Sequence, residues 1–322
     1  MIPLPDCDLD EEKLIKYVED NYEIEQFEQI IKEFSVVAWD FKMQHSHLKK
    51  WLNNFDGRVL NNEKVEKILA MWILMNYTYY SEKEIRALCK CIFEDYIHDK
   101  ILEFKLDKIS KKKRISDQIQ DIIDNTLFLS LGNPSESGTN ILYYFRQENA
   151  LQKESFEIDD RKKPYENVVF IDDVTISGHQ ACEYLNGKTG YGKKKYLLTL
   201  IATEKADKFI RENCIDEITL ISSILIDDRS ICFTDSSFVF SDKKMDLLKG
   251  LAEKLCIGYG NRIDNKFPLG YSDGQQLFGF FYNTPDNTLP IIWATQNNWI
   301  AAFPRYDKNP FEGAGINESK YI

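Results

Sequence analysis

The feature that most constrains this chain is a change of hydrophobic period near residue 110. Before it, apolar residues step by three or four: Ile24, Phe27, Ile31 and Phe34, then Val65, Ile68, Trp72 and Met75, then Ile85, Leu88, Ile92 and Tyr96. That spacing lays one apolar face along a helix. Ser81 followed by Glu84 adds a capping box at the start of one of these helices, a hydroxyl and a carboxylate each satisfying an orphan backbone donor. Beyond the break, apolar residues come in short continuous runs, Leu127 to Leu131, Val168 to Ile171, Tyr196 to Ile201 and Ile218 to Leu225, several followed by helical patterns such as Ala206, Phe209 and Ile210. Strands apolar on both faces and alternating with helices predict a parallel sheet covered on both sides. The expected organisation is an all-helical domain over residues 1–112 and an α/β domain over 113–322, with an accessory lobe from about 257 where glycines and prolines interrupt aromatic segments. The basic run Lys108 to Arg114 marks the break and reads as a solvated segment.

Composition narrows the function. With 41 basic and 52 acidic side chains the formal charge is -11, which argues against binding nucleic acid by counterion release. Small molecules and protein partners are the better expectation. The longest strongly apolar run, Ile68 to Met75, falls far short of the ~20 residues that cross a bilayer, and the N-terminus has neither a basic nor an apolar signal region. No membrane association is expected. Seven cysteines without paired spacing fit thiols in a reducing cytoplasm.

The stretch Val168-Val169-Phe170-Ile171-Asp172-Asp173-Val174-Thr175-Ile176-Ser177-Gly178-His179-Gln180-Ala181 reads as a buried strand, two carboxylates, a small hydroxyl and glycine loop, and a helix. Strand ends in open α/β sheets face the ligand crevice. A loop entering a helix N-terminus offers N–H groups and a positive dipole end to a phosphate. Carboxylates beside it suit the vicinal hydroxyls of a ribose or a nearby magnesium ion. Together these parts describe a ribose-5-phosphate cradle, and the stretch resembles the PRPP (phosphoribosyl pyrophosphate) motif of the type I phosphoribosyltransferases. The resemblance implies a parallel sheet of the type I phosphoribosyltransferase kind, beside the helical N-terminal domain and the C-terminal lobe. It also implies that Asp172 and Asp173 hold the ribose hydroxyls and act in catalysis, while Val174, Thr175, Ile176, Ser177, Gly178 and His179 wrap the 5'-phosphate. Magnesium would arrive with PRPP and be held through it, with Asp172 and Asp173 as its nearest protein oxygens. The family commonly continues Gly-x-Thr, where this chain has Gly178-His179-Gln180.

In the same family the first strand-to-helix loop binds pyrophosphate, which here implies Ser135, Glu136, Ser137 and Gly138, with Thr139 close by. Glu136 is an acid where many members have a basic or neutral residue, and its charge opposes pyrophosphate unless magnesium lies between. The segment Ala150 to Asn167 stands where active members have a closing loop. It is short, and its Arg161-Lys162-Lys163 reads either as a counter-charge for pyrophosphate or, more simply, as a solvated turn. Two functions therefore stay open: a transferase moving a phosphoribosyl group to or from a base through an oxocarbenium-like state, and a non-catalytic PRPP or nucleotide sensor that signals to a protein partner through its helical domain. Pro268-Leu269-Gly270-Tyr271 and Asn283 to Trp293 also resemble phosphoribosyltransferase-like proteins of bacterial anti-phage defence, which implies the second setting.

Three motifs are read as decoys. Asp227-Asp228 ends a strand but no glycine loop follows, so it is expected to form a turn. Gly187-Lys188-Thr189-Gly190 lacks the upstream spacing of a nucleotide-binding loop. Phe280, Tyr282 and Trp293 are expected to be core aromatics rather than a base-stacking hood.

Overall fold

Two of the helix starts near the N-terminus are fixed by side chains that satisfy the first backbone donors. A computed structural model describes residues 10–106, 114–132, 137–188 and 190–305. Asp10 accepts from the Lys13 amide at 3.0 Å to open α1 (Glu11–Asn21), and Asn62 accepts from Val65 at 3.1 Å to open α4 (Glu63–Met75), after α2 (Ile24–Val37) and α3 (His45–Leu52). A three-residue strand, β1 (Thr78–Tyr80), follows. The chain continues through α5 (Glu82–Leu106), α6 (Ile115–Asp124), β2 (Thr126–Ser130), α7 (Ser137–Glu148), β3 (Tyr165–Thr175), α8 (His179–Asn186), β4 (Gly192–Thr203), α9 (Glu204–Asn213) and β5 (Ile218–Ile226). It ends with α10 (Lys243–Asp246), α11 (Lys249–Ile263), β6 (Phe278–Phe280) and α12 (Pro290–Trp293).

The described residues group into two units, Glu82–Arg229 and a discontinuous one made of residues up to Ser81 and from Ser230. In the first, β2, β3, β4 and β5 form a parallel sheet in that order, as the apolar runs predict. Side chains alternate across the pleat. On one face Val168, Phe170 and Leu197 pack with Ala181 and Leu185 of α8 and Ile210 of α9. On the other, the Phe128 ring lies 5.5 Å from Phe145 of α7 and Tyr196 lies 5.2 Å from Tyr96 of α5. Both faces are therefore covered, and the strands need no polar alternation. Near the start of β4, buried Lys100 donates to Glu103 at 2.6 Å and to the Tyr196 hydroxyl at 2.9 Å, while Lys194 donates to Glu103 at 2.9 Å. Burial pushes the Glu103 carboxyl up, but the hydrogen bonds from Lys100 and Lys194 outweigh it and hold it below its usual range.

In the second unit the N-terminal helices share one apolar core with residues 232–303. Indole N–H groups stitch the two segments: Trp51 donates to the Ile291 carbonyl at 2.8 Å and Trp72 to that of Val239 at 3.1 Å. Fully buried Glu66 of α4 accepts from the amides of Gly57, Val59 and Leu60 at 2.7, 2.8 and 2.7 Å, and from the Tyr259 hydroxyl of α11 at 2.5 Å. A buried carboxylate persists only when donors replace its water. Strand β1 pairs in parallel with β6, so this unit is not purely helical.

The periodicity draws its boundary at residue 112 and places the stretch from 257 on the α/β domain. The structure groups α5 with the sheet and residues from Ser230 with the N-terminal helices. Helical spacing marks an apolar face but not its cover, which for α5 is the sheet's aromatic side. Among the described residues no helix is long and apolar enough to cross a membrane.

Candidate functional site

Strand β3 outruns its neighbour β2. The ladder between them ends with Ser130 opposite Ile171 and one further bond from the Leu131 amide to the Ile171 carbonyl at 2.8 Å, while β3 stays paired with β4 to Thr175. Asp172 to Thr175 thus form the last stretch of β3, beyond the reach of β2. Asp172 accepts from the Asp173 amide and Asp173 from the Val174 amide, each at 2.9 Å. Alternation places Asp172 and Val174 on one face and Asp173 and Thr175 on the other. Asp172 is half-buried, and Asp173 and Thr175 are buried.

From Thr175 the chain turns through half-buried Ile176 and Ser177 to Gly178, the N-cap of α8, at φ 76°. That left-handed conformation favours glycine. Space demands it as well, since a Cβ on Gly178 would lie 3.0 Å from the Ala206 carbonyl, 3.2 Å from the Phe209 ring and 3.3 Å from Ile210. The loop is docked on the first turns of α9. Exposed His179 continues this contact, its ring 4.0 Å from that of Phe209 and tilted by 31°.

The second loop singled out by the sequence leaves the end of β2, beside the end of β3. Ser135 and Glu136 lie outside the described residues, and of Ser137 only its place as first residue of α7 is described. Gly138 is closely packed: a Cβ there would meet the Leu131 carbonyl at 2.6 Å, the Ile171 carbonyl at 3.2 Å and the Asp172 carboxylate at 3.4 Å. The structure therefore brings Gly138 and Asp172 together at the carboxyl end of the sheet, where open α/β sheets bind ligands. Two helix N-termini, those of α7 and α8, start at that end, and their first amides have no partner within the helix.

Other candidates resolve more simply. Arg161 pairs through two nitrogens with Asp159, both at 2.9 Å, and Lys163 pairs with Asp160 at 3.0 Å, within 3-10 turns rather than a hairpin. Asp227 accepts from the Arg229 amide at 2.9 Å in a turn, as expected. Lys188 follows Gly187, the C-cap of α8, and Thr189 lies outside the described residues. Phe280 is buried in the discontinuous unit, where Trp293 donates to the Thr288 carbonyl at 2.7 Å. Among the described residues no three His, Cys, Asp or Glu side chains converge to hold a metal ion. Sequence reasoning passed over Thr203 and the role of Phe209. The available signal was a threonine at a strand end before an acidic first turn, Glu204 and Asp207, which marks an N-cap.

None of the curated proteins matches significantly. Orotate phosphoribosyltransferase from Aeropyrum pernix aligns at 18% identity over 33% of this chain and 62% of its own, with a TM-score of 0.24, so this chain spans under two thirds of that enzyme. A hypothetical protein from Neisseria gonorrhoeae with bound ppGpp aligns at 12% identity over 55% of this chain and 97% of its own, with a TM-score of 0.30. The family model named PRTase-CE matches residues 48–305, which takes in β2, β3 and both loops. The chain belongs to the PRTase-CE family, a phosphoribosyltransferase-like family.

Proposed function

We propose that the carboxyl end of the sheet binds a 5-phosphoribosyl compound, PRPP or a nucleoside monophosphate, with the phosphate on residues 174–179 and the ribose hydroxyls on Asp172 and Asp173. The observation that carries this reading is the convergence of Gly138, at the start of α7, on the Asp172 carboxylate. It sets a second helix N-terminus beside Asp172, which suits PRPP, with phosphate groups at both ends of its ribose, and leaves the second N-terminus free of phosphate when a monophosphate binds. As an enzyme, the chain would transfer a phosphoribosyl group to or from a base, with Asp172 and Asp173 holding the sugar as positive charge develops on it. Magnesium fits the carboxylates in part. Two of their oxygens already accept backbone amides, so an ion there would rest mainly on the ligand's oxygens and neutralise the leaving pyrophosphate.

The second reading, a sensor that binds without turnover, is favoured by the basic turn. Arg161 and Lys163 are matched by Asp159 and Asp160 rather than carried on a closing hairpin. In that case the N-terminal helices would report occupancy to a protein partner in anti-phage defence, a setting supported by the sequence resemblance.

Isothermal titration with PRPP and with a nucleoside monophosphate, each with and without magnesium, tests the site. Binding is expected to vanish in Asp172→Asn plus Asp173→Asn while circular dichroism stays unchanged. Unchanged affinity in the double variant would sink the assignment. Pyrophosphate release with a panel of bases separates enzyme from sensor, and a phage challenge tests the defence setting.

A further inference from the structure

We propose that Thr203 is a positioning residue for the loop 174–179, a clamp through which α9 sets the loop's shape before any ligand arrives. Thr203 is the last residue of β4 and is nearly buried. Its hydroxyl donates to the carbonyl of Ile176, in the middle of the loop, at 2.6 Å, and accepts from the Ala206 amide at 2.9 Å. One oxygen thus caps α9 and fixes a loop carbonyl at the same time. Two further contacts extend the seam, the close approach of Gly178 to Ala206, Phe209 and Ile210 and the stacking of His179 on Phe209. Loop residues 176, 178 and 179 therefore all rest on residues 203–210.

The consequence is preorganisation. Holding the Ile176 carbonyl on the α9 side keeps it turned from a bound anion, which it would repel, and leaves the peptide's other end to present its N–H. The residue type follows from this double duty. Serine can both donate and accept. Aspartate can cap a helix by accepting from an amide, but as a carboxylate it has no proton to give a carbonyl. Valine keeps threonine's shape and can do neither.

The clamp's relevance to ligand rests on the ribose-phosphate reading; the clamp itself does not. Hydrogen–deuterium exchange on the full chain without ligand, read over residues 174–180 and 206–213, tests it directly. Thr203→Ser is expected to match the parent. Thr203→Asp is expected to exchange at least tenfold faster in the loop while α9 stays protected, and Thr203→Val to loosen both. Unchanged loop exchange in Thr203→Asp would overturn the clamp and leave Thr203 as a helix cap only. Titration with PRPP and magnesium adds a second arm, in which Thr203→Val is expected to bind at least tenfold more weakly and Thr203→Ser like the parent. Should the parent bind neither PRPP nor a monophosphate, the ribose-phosphate reading fails, while loop exchange still decides the clamp.

Discussion

Two glycines with the same backbone sign separate strain from packing. Gly178 and Gly190 have φ of 76° and 84°, but a Cβ on Gly190 meets nothing within 4 Å, whereas one on Gly178 meets three atoms between 3.0 and 3.3 Å. Replacing either by alanine incurs the left-handed penalty of about 1–2 kcal/mol. At Gly178 the methyl group must also displace the Ala206 carbonyl, which is helix backbone, together with Phe209 and Ile210, and overpacking of this kind costs about 1–3 kcal/mol more. Gly190→Ala should therefore lose about 1–2 kcal/mol and Gly178→Ala about 2–5 kcal/mol. Urea unfolding followed by circular dichroism measures the difference, and thermal melts should separate the two variants by about 2–4 °C for each kcal/mol between them. Equal losses in the two variants would refute the claim that the loop is docked on α9.

Other perturbations reach the rest of the molecule. Glu66→Ala leaves the buried Leu60 amide without its acceptor and opens a void between α4 and α11, and should cost about 3–5 kcal/mol in urea unfolding. Glu66→Gln, which keeps the shape, should cost less, and the reverse order would contradict the packing account. Burial, followed by a hydrogen bond with Cys182, pushes the Cys214 thiol up to about 12. Its labelling by iodoacetamide at pH 8 should be far slower than that of exposed Cys91 and should rise about tenfold with each pH unit, as the thiolate fraction does. Because the Glu103 carboxyl is held low, its contribution is complete above the ordinary carboxylate range and is lost as pH falls through the folded value. Thermal melts below about pH 5 should decline less steeply in Glu103→Gln than in the parent.

Much of the sheet unit was legible because its signals are local. The continuous apolar run from Val168 reads as a strand covered on both faces, and the small hydroxyl and glycine loop after it as the entry to a helix, which the structure shows as β3 and α8. The convergence of Gly138 on Asp172 was implied by the family resemblance, but its closeness depends on β2 stopping four residues before β3 does, which no spacing reveals. Thr203 was missed because its partner, the Ile176 carbonyl, is a backbone group 27 residues away. The pairing of α4 with α11 through Glu66 and Tyr259 spans 193 residues. The sequence around Tyr259 reads as the start of an irregular lobe, and nothing local there names α4 as the helix that it meets.

The discontinuous unit carries a consequence for how the chain is made. Its opening helices complete their shared core with residues 232–303, whereas every strand of the sheet lies between Thr126 and Ile226. Synthesis from the N-terminus therefore reverses the usual order in which the first-made unit folds first. The middle of the chain is complete while its beginning still waits on the ribosome with an apolar face uncovered, and the ends close only after the sheet has left the exit tunnel.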